Sequence, residues 1–343
     1  MEGVNAVLYY NDKYYEEVVR TYGYTPCRDM TAPLPGFTIS DMKQWFCGYN
    51  LGESQISRIT KENTFVTLGL AVNREPHIGT VSQILRGIFF QKKGYKVQIV
   101  LGDIDCYSAR ASSIKLAEKN VKKYRRFIEN LGFDSSVGTV RNQIDHTEIM
   151  KTAFLIAPKI EDSDFDDVKE YIYDYYGELG IYRGMSFPIK QSILLMFSDF
   201  IHEGFVGNYK NIIVLSGIDE HPYVPKADDI AARLNLDVMI CGLFSPIIRG
   251  LNNQPKMSKS LAGSSITVSM TESKIVEIIM QTRDDKGLHD DSIVYQLMRA
   301  TMFYRDEELQ EIARHCDEQP NIWLQDKVDF AHKLFHMCDN WNK

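Results

Sequence analysis

The chain has 343 residues, enough to bury a large core and to divide into two domains. Its residues are 44% hydrophobic and 25% charged, the mix of a water-soluble protein, and no apolar run approaches the roughly 18 residues that span a bilayer. A formal charge of −7 excludes bulk attraction to nucleic acid, so any RNA contact requires a local basic patch.

In chain order, residues 1–63 read as a mixed N-terminal segment. A charged helical start gives way to a turn at Thr31-Ala32-Pro33-Leu34-Pro35-Gly36. Residues 40–49 then read as a helix, with Ser40 as N-cap and Asp41 in the first turn. Residues 64–70 form a short apolar, partly β-branched run and predict a strand. Residues 77–93 carry Ile78, Val81, Ile84, Leu85, Ile88 and Phe89 at helical spacing and stop at Gly94. A second strand at 96–101 and a long charged helix at 112–131 follow. This rhythm predicts a parallel sheet with crossover helices. Residues 187–201 and 227–234 read as helices, and 211–215 and 238–243 as buried strands. After residue 270 the chain reads as helical, at 272–281, 292–303, 307–315 and 323–338. The expected organisation is α/β: an N-terminal segment (1–63), a Rossmann-like catalytic domain with a parallel sheet (64–268), and a helical C-terminal domain (269–343).

The six cysteines (Cys27, Cys47, Cys106, Cys241, Cys316, Cys338) are scattered, with no Cys-x-x-Cys pair, which predicts reduced thiols and no metal centre. Met1-Glu2-Gly3-Val4-Asn5 lacks the basic and apolar segments of a secretory signal, so a cytoplasmic location is expected.

Two segments carry chemistry: Pro76-His77-Ile78-Gly79-Thr80, between a predicted strand and helix, and Lys256-Met257-Ser258-Lys259-Ser260. Alone, the first is a helix start with a surface histidine and the second a solvated loop. Together they suit a polyphosphate. A helix N-terminus supplies oriented N–H groups and a favourable dipole, and two lysines supply mobile charge. Gly250-Leu251-Asn252-Asn253-Gln254-Pro255 and Ala262-Gly263-Ser264-Ser265 flank the second segment as a flexible loop would be flanked.

In this order and at this separation, the two segments resemble the ATP signatures of class I aminoacyl-tRNA synthetases. The resemblance is to the tryptophanyl/tyrosyl branch, most of all to the eukaryotic and archaeal tryptophanyl form, and runs from about residue 15 to the C-terminus. Gly36-Phe37-Thr38-Ile39-Ser40-Asp41-Met42, Gly217-Ile218-Asp219-Glu220-His221-Pro222-Tyr223 and the helices from Ile293 onward are similar to further stretches of that branch. The resemblance implies that an amino acid, tryptophan first, is activated as its adenylate with ATP and Mg²⁺ and then passed to tRNA. It assigns ATP to Gly69, His77, Gly79, Thr80, Asp219, Lys256, Met257, Ser258 and Lys259, with His77, Thr80, Lys256 and Lys259 in catalysis. It assigns the amino acid to Val100, Asp103, Asp105, Gln191 and Glu220, and it implies a homodimer. His77 can donate to phosphates and Gly79 lets the adenine approach; Ser258 and Ser260 can donate to phosphate or cap a turn. His221 and Tyr223 read equally well as packing.

Three positions depart from that family's pattern. Thr80 stands where the second His of the HIGH signature is usual, keeping a donor without the imidazole. Val100 is apolar where an amide is expected, and Glu220 stands where Gln is usual. From Arg305 to Lys343, five Lys and Arg face nine Asp and Glu, a net −4 that suits phosphate binding poorly. Lys122-Lys123-Tyr124-Arg125-Arg126 is a basic cluster that also fits a charged helix face. Three functional classes therefore fit: a synthetase that charges tRNA, an adenylate-forming ligase that acts without tRNA, and a non-catalytic binding protein on the same fold.

Overall fold

The computed structural model describes residues 12–110, 112–168, 170, 172–180, 184–282 and 288–343. The readings of Met1–Asn5 and of the charged start before residue 12 lie outside the described residues. The chain packs as two compact units. One is Glu16–Arg74 with Arg86–Pro246; the other is Glu75–Leu85 with Ile247–Lys343 and the described residues of Met1–Tyr15.

The first unit holds a seven-stranded sheet: β1 (Thr25–Pro26), β2 (Gly48–Tyr49), β3 (Thr64–Ala71), β4 (Lys96–Gly102), β5 (Thr139–Asn142), β6 (Asn211–Gly217) and β7 (Met239–Ser245), in the order β1-β2-β7-β6-β3-β4-β5. The five strands from β7 to β5 are parallel and pair in register, for example Val66 with Val97 and Ile213 with Cys241; β7, β6, β3 and β4 are the strands expected, and β5 is an addition. Val66, Leu68, Val97, Ile99, Ile212 and Ile213 have no exposed surface, the pattern of strands covered on both faces. Burying side chains of this size contributes about 1.5–3 kcal/mol each before conformational entropy is subtracted. The chain passes from β3 to β4 on one side and from β6 to β7 on the other. The switch in direction therefore falls between β3 and β6, where open α/β sheets bind ligands.

Two predicted elements are corrected. The helix expected at 40–49 is Ile39–Trp45, and its N-cap is Thr38. Thr38 Oγ1 accepts the Asp41 N–H at 3.0 Å while the Thr38 N–H donates to Asp41 Oδ2 at 2.9 Å. This reciprocal capping box outcompetes a cap at Ser40. Gly48 and Tyr49 leave the helix and pair antiparallel with Phe244 and Leu243, which makes the sheet mixed at one edge. The long charged helix starts at Ile114 with Ser113 as its cap, and Gly132 beyond its end adopts φ 105°.

The second unit contains the first turns of the Ile78–Lys92 helix and the C-terminal helices Glu272–Gln281, Ile293–Thr301, Asp306–Glu318 and Pro320–Cys338. The last of these buries Trp323, Lys327, Phe330, Ala331, Leu334 and Cys338 at helical spacing and packs on the Glu272–Gln281 helix, whose Ile275 and Ile279 are buried. Among the described residues no helix is long and apolar enough to cross a membrane.

Candidate active site

In the second unit, the segment before the Ile78–Lys92 helix pairs with the segment after the lysine loop. The Ile78 N–H donates to Ile266 O at 3.0 Å and the Val268 N–H to Pro76 O at 3.2 Å, with His77 and Thr267 as antiparallel partners. Ser269 Oγ donates to Glu75 at 2.8 Å. The loop is also pinned from within. Buried Met257 donates its N–H to Ile248 O at 3.1 Å. Ser264, with no exposed surface, accepts the Ser258 N–H at 3.1 Å and donates to Ser258 O at 3.0 Å. Asn252 and Asn253 take left-handed φ of 54° and 58°, which Asn tolerates better than most residues. Lys256 and Lys259 emerge from this frame part-exposed.

Part of His77 meets solvent, but its Nδ1 is enclosed and lacks a hydrogen-bond partner. Burial and then the ammoniums of Lys259 and Lys256 push its pKa down to about 3, so the ring is neutral near pH 7 and can donate from one nitrogen only. A Cβ on Gly79 would stand 2.8 Å from His77 Cε1 and 3.0 Å from Nδ1, so the glycine makes room for the imidazole. Thr80 is nearly buried, at 9% exposure, in the first turn of the helix.

The sheet-bearing unit carries the other predicted residues at the C-terminal ends of adjacent strands. Gly69 of β3 pairs with Val100 of β4, and the space where a Cβ would stand on Gly69 is open. Val100 is buried. Asp105 follows β4; its carboxylate accepts Arg110 Nε at 2.8 Å and the Ser192 hydroxyl. Asp219 and Glu220 follow β6, the former buried and the latter exposed, and Gln191 is exposed near the start of the Phe187–Phe205 helix.

Asp103 is engaged in the fold. Oδ1 accepts the N–H groups of Ile104, Gln143 and Ile144 at 2.9, 2.9 and 3.2 Å, and Oδ2 accepts Asn142 Nδ2 at 2.7 Å. Its carboxylate ties the end of β4 to the end of β5. His221 packs: it lies between Tyr22, Tyr24 and Phe244, with the Tyr24 hydroxyl 3.1 Å from Nδ1. A cavity of about 640 Å³ beside β5, lined in part by Gln98, Arg141, His146 and His202, contains none of the predicted site residues. Gln143 and Ser192, which touch Asp105, were not anticipated. No spacing rule points to an amide or a hydroxyl that reaches across the fold.

Burial makes the fold acid-sensitive. His221 is pushed down to about 4 by burial, opposed by Asp219, and His77 lies near 3. Unfolded histidines titrate near ~6.5, so between that value and about 3–4 the unfolded chain binds more protons than the folded one. Stability is therefore expected to fall as pH drops below about 6.5. Urea midpoints from pH 7.5 to 4.5 check this, and His221→Phe should flatten the slope.

The parallel sheet of one unit and the histidine and lysines at the helix start of the other are each what a class I aminoacyl-tRNA synthetase-like chain would carry. Comparisons with known proteins give the branch. Residues 193–339 match the family described as tRNA synthetases class I (W and Y). A tryptophan–tRNA ligase of Methanocaldococcus jannaschii is 23% identical over 88% of this chain and 84% of its own length. Tryptophan–tRNA ligase 1 of Halobacterium salinarum is 24% identical, but the match spans 48% of this chain and 30% of that relative. The solved tryptophanyl-tRNA synthetase of Aeropyrum pernix K1 superposes with a TM-score of 0.76 at 17% identity, covering 96% of this chain and 93% of that one. These matches all fall in the tryptophanyl/tyrosyl branch, which the chain resembles.

Proposed function

We propose that the chain activates an amino acid with ATP as its aminoacyl adenylate, with tryptophan the first candidate, and transfers it to tRNA. In this reading residues 64–268 form the catalytic domain and 269–343 a helical C-terminal domain. The observation that carries it is the backbone pairing of Pro76–Ile78 with Ile266–Val268, which holds His77 within the field of Lys256 and Lys259. The reaction is attack by a carboxylate oxygen on the α-phosphate with loss of pyrophosphate. It asks the protein for positioning and charge stabilisation more than covalent work. Lys256 and Lys259 neutralise the departing pyrophosphate, neutral His77 and Thr80 donate to phosphate oxygens, and the helix N-terminus adds oriented N–H groups. Asp105 and Glu220 face the amino acid, Asp105 as a partner for its ammonium. Among the described residues no group of three or more His, Cys, Asp or Glu could hold a metal ion. Mg²⁺ would therefore ride on the nucleotide phosphates and offset their charge.

Gly79→Ala is expected to displace the His77 ring and raise the KM for ATP on the order of tenfold, leaving the KM for amino acid unchanged. Steady-state kinetics in both substrates check this. ATP–pyrophosphate exchange across all amino acids, with and without total tRNA, tests the function itself. Exchange with tryptophan plus tRNA charging supports it; no exchange with any amino acid overturns it in favour of a binding protein.

A second reading, a ligase that acts without tRNA, is favoured by the C-terminal basic residues. Arg305 lies 3.3 Å from Glu308, Arg314 3.7 Å from Glu311 and Lys343 3.4 Å from Asp339. Lys327 donates to Thr282 O, and Lys333 sits over the Tyr304 ring. These exposed pairs are individually weak; the net −4 of residues 305–343 is what opposes phosphate binding. Exchange without charging would select this reading.

A further inference from the structure

Asp105 is the third residue of the Asp103–Ser108 helix, and the residue before that helix, Gly102, has no side chain to cap it. The caps come from elsewhere. Asp103 Oδ1 takes the Ile104 N–H, and the Asp105 N–H donates to Gln143 Oε1 at 3.1 Å. Gln143 stands just beyond β5, and its Nε2 donates to Asp199 Oδ2 at 3.0 Å. Asp199 Oδ1 accepts Arg141 Nη2 at 2.5 Å, and Arg141 Nε donates to Gln98 Oε1 at 2.8 Å. Gln143, Asp199 and Arg141 are all buried, at 5%, 6% and 1% exposure. A Cβ on Gly102 would stand 3.3 Å from Asp105 Cβ and 3.7 Å from Gln143 Oε1, so the missing side chain keeps this approach open.

We propose that Gln143, oriented by Asp199, is a positioning residue that sets Asp105 for the substrate ammonium. The polarity of the chain is fixed at each link. Arg141 can only donate and ionised Asp199 can only accept. With one oxygen taken by Arg141, Asp199 offers the other to the Gln143 amide nitrogen. The Gln143 carbonyl then has one direction left, toward the Asp105 N–H. A carboxylate that must hold an ammonium needs its backbone fixed within a fraction of an ångström, and the Gly102 position cannot do this. The proposal rests on the reading that Asp105 meets the amino acid.

Gln143→Met removes both contacts, and Gln143→Glu keeps the acceptor but sets a carboxylate against Asp199. In pyrophosphate exchange, Gln143→Met is expected to raise the KM for amino acid about tenfold, through loss of the hydrogen bond to the Asp105 N–H, with the KM for ATP unchanged within about twofold. Gln143→Glu should recover as pH falls from 8 to 6, because protonation restores a donor toward Asp199; wild type should show no such recovery. Equal loss in both KM values without pH recovery would mean a purely structural role and overturns the proposal. Hydrogen exchange of residues 103–108 reads the contact without substrate. Faster exchange in either variant supports the hold of Gln143 on the Asp105 backbone, a result separate from whether wild type activates an amino acid, and unchanged exchange overturns the proposal. If Gln143→Met does not fold, Gln143→Glu carries both measurements.

Discussion

Lys259→Ala is expected to slow pyrophosphate exchange about 10²-fold, roughly 2.7 kcal/mol of transition-state stabilisation. Of the two loop ammoniums that depress the His77 pKa, that of Lys259 has the larger effect. The loop is held through Met257, Ser258 and Ser264 main-chain and hydroxyl contacts, so removing the Lys259 side chain leaves that frame in place. The loss should therefore fall on kcat and the KM for ATP and spare the KM for amino acid. A second readout is independent of turnover: with one ammonium gone, the His77 pKa should rise, which imidazole NMR titration can follow. An unchanged exchange rate would remove Lys259 from the reaction.

Asp199→Ala is expected to cost about 3–5 kcal/mol of stability, because it leaves Arg141 as a buried, unpaired cation. The pair is 2.5 Å long with side-chain exposures of 2% and 6%, and Arg141 Nη1 already lacks a partner. The thermal midpoint should fall by roughly 10 °C. Combining Asp199→Leu with Arg141→Met should restore part of the loss, since the ion pair is exchanged for apolar packing while Gln143 Nε2 and Gln98 Oε1 lose their partners. If Asp199→Ala melts like wild type, the pair contributes nothing to the fold.

The parallel core of the sheet was legible because β3, β4, β6 and β7 are apolar runs bounded by clear turns and helices. β5 was not. Its four residues, Thr139–Asn142, include Arg141, which reads as solvent-facing until Asp199 and Gln98 arrive from distant segments. The β1–β2 edge escaped for a related reason: two-residue strands have no period, and only pairing with β7 defines them. The residues proposed to meet phosphate stand out in the sequence because their chemistry is local, a histidine at a helix start and two lysines within one five-residue segment. The two aspartates after β4 looked equivalent. Asp103 accepts four hydrogen bonds that bind two strands together, whereas Asp105 meets Arg110 and Ser192, and only tertiary contacts separate those fates.

The pairing between Pro76–Ile78 and Ile266–Val268 runs through main-chain atoms alone. Amides and carbonyls are common to nearly every residue, so side chains in this stretch can be exchanged without moving the helix start that they decorate. Thr80, in the first turn of that helix, therefore stands on a mount that does not depend on its own side chain.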